Sequence, residues 1–246
     1  MRLITVHEPA TNAVLASFPA AELDTLRPHL RRVELRREQE IYAPHAIIRE
    51  IYFPIAGLIS MVAQLRSGEQ AEVGVIGRQG MSGLPVYAGA RNLGFRTAVQ
   101  IPGEALVLDA ELLVRAQDRS SALRRAIEIA TSAHIALIAQ TAACNRAHDV
   151  EQRLARWLLV SRDAADGAEL ELTQEYLAMM IGVQRPTVTL AAGTFQRDGL
   201  MDYRRGKIRI RDAAALEARS CECYEIVRDE HRRLLDHDGH YMAALK

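Results

Sequence analysis

Leu172–Arg211, LTQEYLAMMIGVQRPTVTLAAGTFQRDGLMDYRRGKIRIR, reads as a helix, a tight turn, a second helix and a short basic hairpin. Thr173 is suited to cap the first helix, with Gln174 and Glu175 in its first turn, where an acidic side chain complements the helix dipole. Leu177, Met180 and Ile181 fall at helical spacing and make one apolar face. Gly182 stands where a left-handed residue ends a helix. The second helix begins near Arg185, because Pro186 is tolerated only in a first turn. Val188, Ala191, Ala192 and Phe195 form its buried side and leave Arg185, Thr187, Thr189 and Thr194 for another partner. Two short helices joined by a glycine turn, the second with a polar face, is the layout that sets a helix in a DNA major groove.

Charge supports this locally and not globally. The chain carries 31 basic and 31 acidic residues, so it is no general polyelectrolyte. From Val183 to Arg211 seven basic residues (Arg185, Arg197, Arg204, Arg205, Lys207, Arg209, Arg211) face only Asp198 and Asp202. Charge runs usually just solvate a surface. Here Arg204, Arg205 and Lys207 flank Gly206 at the tip of a hairpin with strands Leu200–Tyr203 and Ile208–Arg211. A basic hairpin directly after two such helices is a wing whose tip meets the sugar-phosphate backbone. The DNA-contacting set read from the sequence is therefore Thr173, Gln174, Arg185, Thr187, Thr189, Arg204, Arg205 and Lys207.

A length of 246 residues, 49% of them hydrophobic, allows one large or two medium domains with real cores. No run of 18 apolar residues exists, which argues against a membrane span. The opening MRLITVHEPATNAVLASF lacks the basic-then-apolar order of a signal peptide, and three cysteines point to a reducing cytoplasm.

Pro19 to Leu30 predicts a short helix. From Val33 the period changes: RVELR, EIYFPIAG, LISMVAQLRSG, QAEVGVIG, FRTAVQI and EALVLDA are short β-branched and aromatic runs, as in a sandwich or barrel. A small helix follows over Ala110 to Gln117, and a long one over Ser120 to about Arg146. In the latter Leu123, Ile127, Ala130, His134, Leu137 and Thr141, then Cys144, alternate spacings of 4 and 3, a weak heptad stripe. At 1.5 Å per residue the helix is roughly 40 Å long. It either packs on its own barrel or forms a dimer spine, and the spine is favoured because two-fold DNA readers need an interface. Asp149 with Gln152 resembles a capping box for a further helix carrying Val150, Leu154, Trp157 and Leu158. Trp157 reads as core. Asp163 to Glu169 is a polar loop, and the tail from Asp212 is helical again.

A barrel, a long helix and a basic winged helix-turn-helix, in that order, resemble the Crp/Fnr family of bacterial transcription regulators over roughly residues 20 to 217. The resemblance implies an α+β fold: an N-terminal jelly-roll β-barrel of the cyclic-nucleotide-binding-like kind over 1–118, a dimerisation helix and hinge over 119–147, and a winged helix-turn-helix with a helical tail over 148–246. It also implies a homodimer on a palindromic double-stranded DNA operator, with half-sites about 34 Å apart. RNA polymerase and a small-molecule effector are the further partners it implies. The family's recognition helix usually reads Arg-Glu-Thr-Val. Here the run is Arg185-Pro186-Thr187-Val188, and Leu190 stands where a further basic residue is usual, so only Arg185 keeps its guanine-reading chemistry.

Cyclic-nucleotide-binding members carry Gly-Glu and, later, Arg-Ser/Thr-Ala. This chain has Arg96-Thr97-Ala98 but Gly80-Met81-Ser82-Gly83 without the acid, which argues against cyclic AMP or GMP unless Glu69 or Glu72 substitutes. Arg96, Thr97 and Ser82 are the candidate effector residues, with a surface ion pair as the plainer role for Arg96. Cys221-Glu222-Cys223 lacks a partner pair, three thiols fall short of the four an iron–sulfur cluster needs, and no metal or cofactor is assigned. A cupin-like barrel enzyme would want an H-x-H pair, whereas residues 31 to 109 hold only His45. No hydrolase, zincin or phosphate-loop motif occurs either, so an enzyme is not expected. A DNA binder with a purely structural barrel is the remaining alternative.

Overall fold

The computed structural model describes residues 12–164 and 169–235. Helices α1 (Ala13–Ala16) and α2 (Ala20–Leu26) precede strands β1 (Arg31–Leu35), β2 (Glu40–Tyr42), β3 (Glu50–Gln64), β4 (Gln70–Ile76) and β5 (Arg96–Asp109). The strands form one antiparallel sheet in the order β1-β5-β3-β4, with β2 also paired to β5.

Six short runs in the sequence become fewer, longer strands. EIYFPIAG joins LISMVAQ as β3, and RTAVQI joins EALVLD as β5. Their glycines and prolines are kinks, not ends. Gly57 has φ +85, and a Cβ there would sit 2.6 Å from the Ile101 carbonyl oxygen; a Cβ on Gly103 would strike the Ala56 carbonyl. The two strands bend together and stay paired on both sides, Ile51 opposite Leu108 and Ser60 opposite Ala98, with bulges between Pro54 and Ile59. The expected barrel is thus built, among the described residues, as a five-stranded kinked roll. Phe53, Ile51, Leu106 and Leu108 fill one part of its core and Ile59, Met61, Ile76 and Val99 the other.

Helix α3 (Ala110–Arg119) is capped by Asp109, and α4 (Ser121–Ala147) by Ser120, whose hydroxyl accepts from the Leu123 N–H. The heptad stripe Leu123, Ile127, Ala130, His134, Leu137 and Thr141 faces inward: all six are buried within one protomer. This corrects the spine reading of those residues. A period of 3.5 marks the buried side of a helix without saying whether the covering surface belongs to the same chain. The opposite side of α4 exposes a second stripe, Ser132, Ile135, Ala139 and Ala142, with Ile135 61% exposed. By length and composition alone α4 could cross a membrane, since an 18-residue window has hydropathy 1.3. Its inner stripe packs on the roll and on the C-terminal helix Cys223–Leu235.

The C-terminal half comprises α5 (Val150–Ala164), β6 (Leu170–Glu171), α6 (Gln174–Ile181), α7 (Arg185–Arg197), β7 (Met201–Arg204), β8 (Lys207–Ile210), α8 (Ala213–Arg219) and α9 (Cys223–Leu235). The capping box before α5 forms: Asp149 Oδ1 accepts from the Gln152 N–H at 2.9 Å while Gln152 Oε1 accepts from the Asp149 N–H at 3.3 Å. Of the polar loop expected over Asp163 to Glu169, residues 165–168 lie outside the described residues. Leu154, Trp157, Leu158, Leu177, Val188 and Phe195 share a core that also takes in Leu58 and Ile101 of the roll. The helix-turn-helix module is therefore docked on the roll of its own protomer.

Candidate DNA interface and ligand pockets

The helix-turn-helix forms for the local reasons the sequence suggests. Thr173 Oγ1 accepts from the Tyr176 N–H, and Gly182 closes α6 with φ +65. Pro186 lies in the first turn of α7. Val188, Ala191, Ala192 and Phe195 are buried, while Arg185, Thr187, Thr189 and Leu190 are exposed, Leu190 by 73%. Arg205 (φ +51) and Gly206 (φ +78) supply the two left-handed residues of a tight hairpin turn, whose twist matches that of its strands.

Thr173, Gln174, Arg185 and Arg205 converge with Gln196 and Tyr203 on a shallow groove of about 350 Å³. Thr187 and Thr189 lie on the outer side of α7, and the Thr189 hydroxyl donates toward Gln174 Oε1 at 2.8 Å. Electrostatics depart from the sequence count. The fold brings Glu169, Glu171 and Glu175 to this face: Arg185 pairs with Glu175 at 2.7 Å, Lys207 with Glu169 at 3.0 Å and Glu171 at 3.4 Å, and Arg209 with Glu169 at 3.8 Å. Arg211 pairs with Asp202. Among the described residues, Arg204 and Arg205 at the wing tip have no acidic partner.

The three effector candidates do not meet in one pocket. Arg96 pairs with Glu40 at 3.1 Å on the surface. Ser82 is buried and committed to the fold: its Oγ accepts from the Tyr52 N–H at 2.8 Å and lies 2.6 Å from the Tyr42 hydroxyl. Thr97 lines an apolar pocket of about 270 Å³ with Tyr42, Met61, Met81, Phe95 and His134. Its hydroxyl is buried without a partner among the described residues. Of the proposed acid substitutes, Glu69 caps a surface turn through Ser67, and Glu72 is buried under the helix-turn-helix module.

A larger cavity, about 410 Å³, opens between the roll, α4, α5 and α9, lined by Glu72, His134, Arg156, Trp157 and Arg228 among others. Glu72 accepts from the Trp157 indole N–H at 3.1 Å and from the Ser60 hydroxyl at 2.7 Å. Burial nevertheless pushes its carboxyl up to about 7. Burial, with His231 nearby, lowers His134 to about 4. Arg156 and Arg228 each bury an Nε that has no acceptor among the described residues. A concave site with perturbed titratable groups and unused donors has the makings of an anion pocket. Its residues come from five separate segments, so no spacing in the sequence announces it. The same is true of the thiols: the fold brings Cys144 and His148 to Cys221 and Cys223, giving the C-x-C a partner pair that local sequence lacks.

Residues 152–219 match the model of the Crp-like helix-turn-helix domain. No curated protein matches the chain by sequence. Among solved structures, FixK2 from Bradyrhizobium japonicum is similar with a TM-score of 0.66 and 15% identity, over 78% of this chain and 98% of that one. TTHB099, a CRP-family transcriptional regulator from Thermus thermophilus, gives a TM-score of 0.65 and 21% identity over 76% and 96%. The global regulator CLP from Xanthomonas campestris, described as responsive to c-di-GMP, gives 0.62 and 17% over 79% and 100%. At these identities the likeness is one of fold.

Proposed function

We propose that this chain is a DNA-binding transcription regulator that grips a palindromic operator as a homodimer, a reading supported by the Crp-like helix-turn-helix domain and by the fold it shares with Crp/Fnr regulators. The observation that carries the reading is the exposed edge of α7, with Arg185, Thr187, Thr189 and Leu190 beside a wing tip bearing Arg204 and Arg205. In the major groove Arg185 exchanges Glu175 for guanine O6 and N7, an exchange that costs little because the pair is exposed. Leu190 is placed to meet a thymine methyl, where a charged residue would seek a polar edge. Arg204 and Arg205 contact phosphate, while Lys207 acts after release from its two glutamates.

The dimer seam in this reading is the outer stripe of α4, Ser132, Ile135, Ala139 and Ala142, whose small residues let two helices approach closely. The domain limits follow: roll over 1–118, helix over 119–147, DNA module over 148–246. An anionic effector is assigned to the cavity at Arg156 and Arg228, where it would bear at once on the roll, α4 and the DNA module. The same reading places the protein in the cytoplasm alongside RNA polymerase.

The test is selection of bound fragments from genomic DNA, followed by affinity measurements on the selected site and on random DNA. Arg185→Ala is expected to weaken the selected site and relax one base position. Equal losses on both DNAs would remove Arg185 from base reading. Binding that is blind to sequence throughout would sink the regulator reading itself.

A further inference from the structure

The chain has three cysteines, and the fold gathers all of them. Cys144 lies in the last turn of α4 and His148 caps that helix four residues later, so both side chains leave the same face. Cys223 begins α9 and Cys221 lies two residues before it; 77 residues separate Cys144 from Cys221, and 75 separate His148 from Cys223. The four donor atoms all lie within 4.8 Å of one another. Cys144 Sγ is 3.5 Å from Cys221 Sγ, and Cys223 Sγ is 3.6 Å from His148 Nδ1.

The last two separations match edges of a zinc tetrahedron, and the 4.8 Å limit on the rest leaves the four donors about an ångström of closing to complete it. Zinc bonds of about 2.3 Å to sulfur and about 2.0–2.1 Å to nitrogen require ligands roughly 3.8 Å apart for two thiolates and roughly 3.6 Å apart for a thiolate and an imidazole. An iron–sulfur cluster would place iron and sulfide among the ligands and spread them wider than this knot allows.

The surrounding groups fit the same chemistry. His148 Nε2 lies 3.1 Å from Glu222 Oε2, so its proton is held by the carboxylate and Nδ1 turns a lone pair toward the thiols. A ligating imidazole fixed by a carboxylate on its other nitrogen is the usual outer arrangement of a zinc site. Gln140 Nε2 donates to Cys223 Sγ at 3.0 Å, a bond suited to a thiolate. Buried thiols that merely fill a core need neither partner. A single disulfide, Cys144 with Cys221, would leave Cys223, His148 and Glu222 unexplained.

We propose that Cys144, His148, Cys221 and Cys223 form a closed Cys₃His zinc site that clamps the DNA module where it leaves and rejoins the long helix. Cys144 and His148 precede α5, and Cys221 and Cys223 follow α8, so the ion ties both ends of the module to the end of α4. Loading takes up one Zn²⁺ and releases the three thiol protons, with His148 entering neutral. Four protein ligands leave no open position, which makes the role structural. The ion itself does not depend on the regulator reading; only its consequence for DNA binding does.

The test is elemental analysis of the full-length chain, purified without chelators or immobilised metal, together with cobalt(II) loading of the reduced, metal-free protein. One zinc per chain is expected, together with a thiolate-to-cobalt charge-transfer band and the visible spectrum of a tetrahedral ion. Cys221→Ser should lose the ion. Glu222→Gln keeps all four ligands and should fold, with zinc affinity down about 10- to 100-fold against a chromophoric chelator. Failure to take up zinc or cobalt after reduction would overturn the proposal. So would acid-labile sulfide, a mass two hydrogens low from a native disulfide, or unchanged affinity in Glu222→Gln. Sequence-specific DNA binding by a metal-free, reduced chain would leave the regulator standing and remove the clamp.

Discussion

Replacing Glu72 with Gln probes the seam between the roll and the DNA module. The carboxyl accepts from Trp157 on one side and Ser60 on the other, and it is buried. Gln fits the same place: its carbonyl accepts from the Trp157 indole and its amide donates to Ser60 Oγ, which turns its own proton to the Gln100 carbonyl beside it. The folded carboxyl titrates at about 7 against 4.5 when unfolded. The folded state therefore holds this proton more tightly, and ionisation works against the fold. The penalty begins as pH rises past 4.5 and is complete above about 7. About 2.5 units at 1.36 kcal/mol each makes it roughly 3 kcal/mol. His134 acts in the opposite sense. Its folded value is about 4 against 6.5, so it contributes stability that is present above 6.5 and lost as pH falls toward 4. In the wild type the two slopes oppose each other between these limits; in Glu72→Gln the carboxylate slope is gone and the histidine slope, to which the buried His231 adds in the same sense, is unopposed by it. Urea unfolding followed by fluorescence of Trp157, the single tryptophan, reads both. The variant should match the wild type near pH 4.5, exceed it by about 3 kcal/mol at pH 8, and lose stability more steeply on acidification below 6.5. A difference independent of pH, or a variant less stable at pH 8, would refute the argument.

Arg185→Ala should cost about 1–3 kcal/mol on the selected operator and less on random DNA, measured by fluorescence anisotropy. Arg205→Ala should weaken both DNAs alike and lower the slope of log affinity against log salt by about one. Ile135→Asp places a charge on the outer stripe of α4 and should shift the sedimentation of the chain to monomer at micromolar concentration. Gly83→Ala should destabilise the roll by about 1–2 kcal/mol in thermal unfolding, because a left-handed backbone (φ +67) brings the new Cβ to 2.6 Å from Ile51 Cδ1.

What the sequence makes legible is what neighbouring residues decide together. Thr173, Gly182, Pro186 and the Arg205-Gly206 turn each act within a few residues, and the structure puts each where local chemistry asks. The Asp149–Gln152 box belongs with them. Strand lengths escape such reading because Gly57 and Gly103 look like breaks, yet they serve a close backbone crossing between strands distant in the chain. The α4 stripe is periodic for a reason, but periodicity carries no label for the surface that covers it. Ser82 and Arg96 stand out by motif, whereas packing assigns one to Tyr42 and the other to Glu40. The cavity and the Cys–His knot depend on contacts across many tens of residues, which no local window contains.

If the cations of α7 and the wing face DNA as proposed, the glutamates beside them bear on how the protein travels before it binds. A bare patch of seven basic residues would adhere to any duplex and dwell there. With Arg185, Lys207 and Arg209 answered by Glu169, Glu171 and Glu175, each random phosphate must compete with a carboxylate already in place. Random DNA offers only charge in return, whereas an operator adds base edges that the glutamates cannot imitate. Residence on wrong sequence is thereby shortened more than residence on the right one. On the proposed DNA-binding reading, the acidic residues on this face would act as a kinetic filter, and a chain without them would find its site more slowly by staying too long elsewhere.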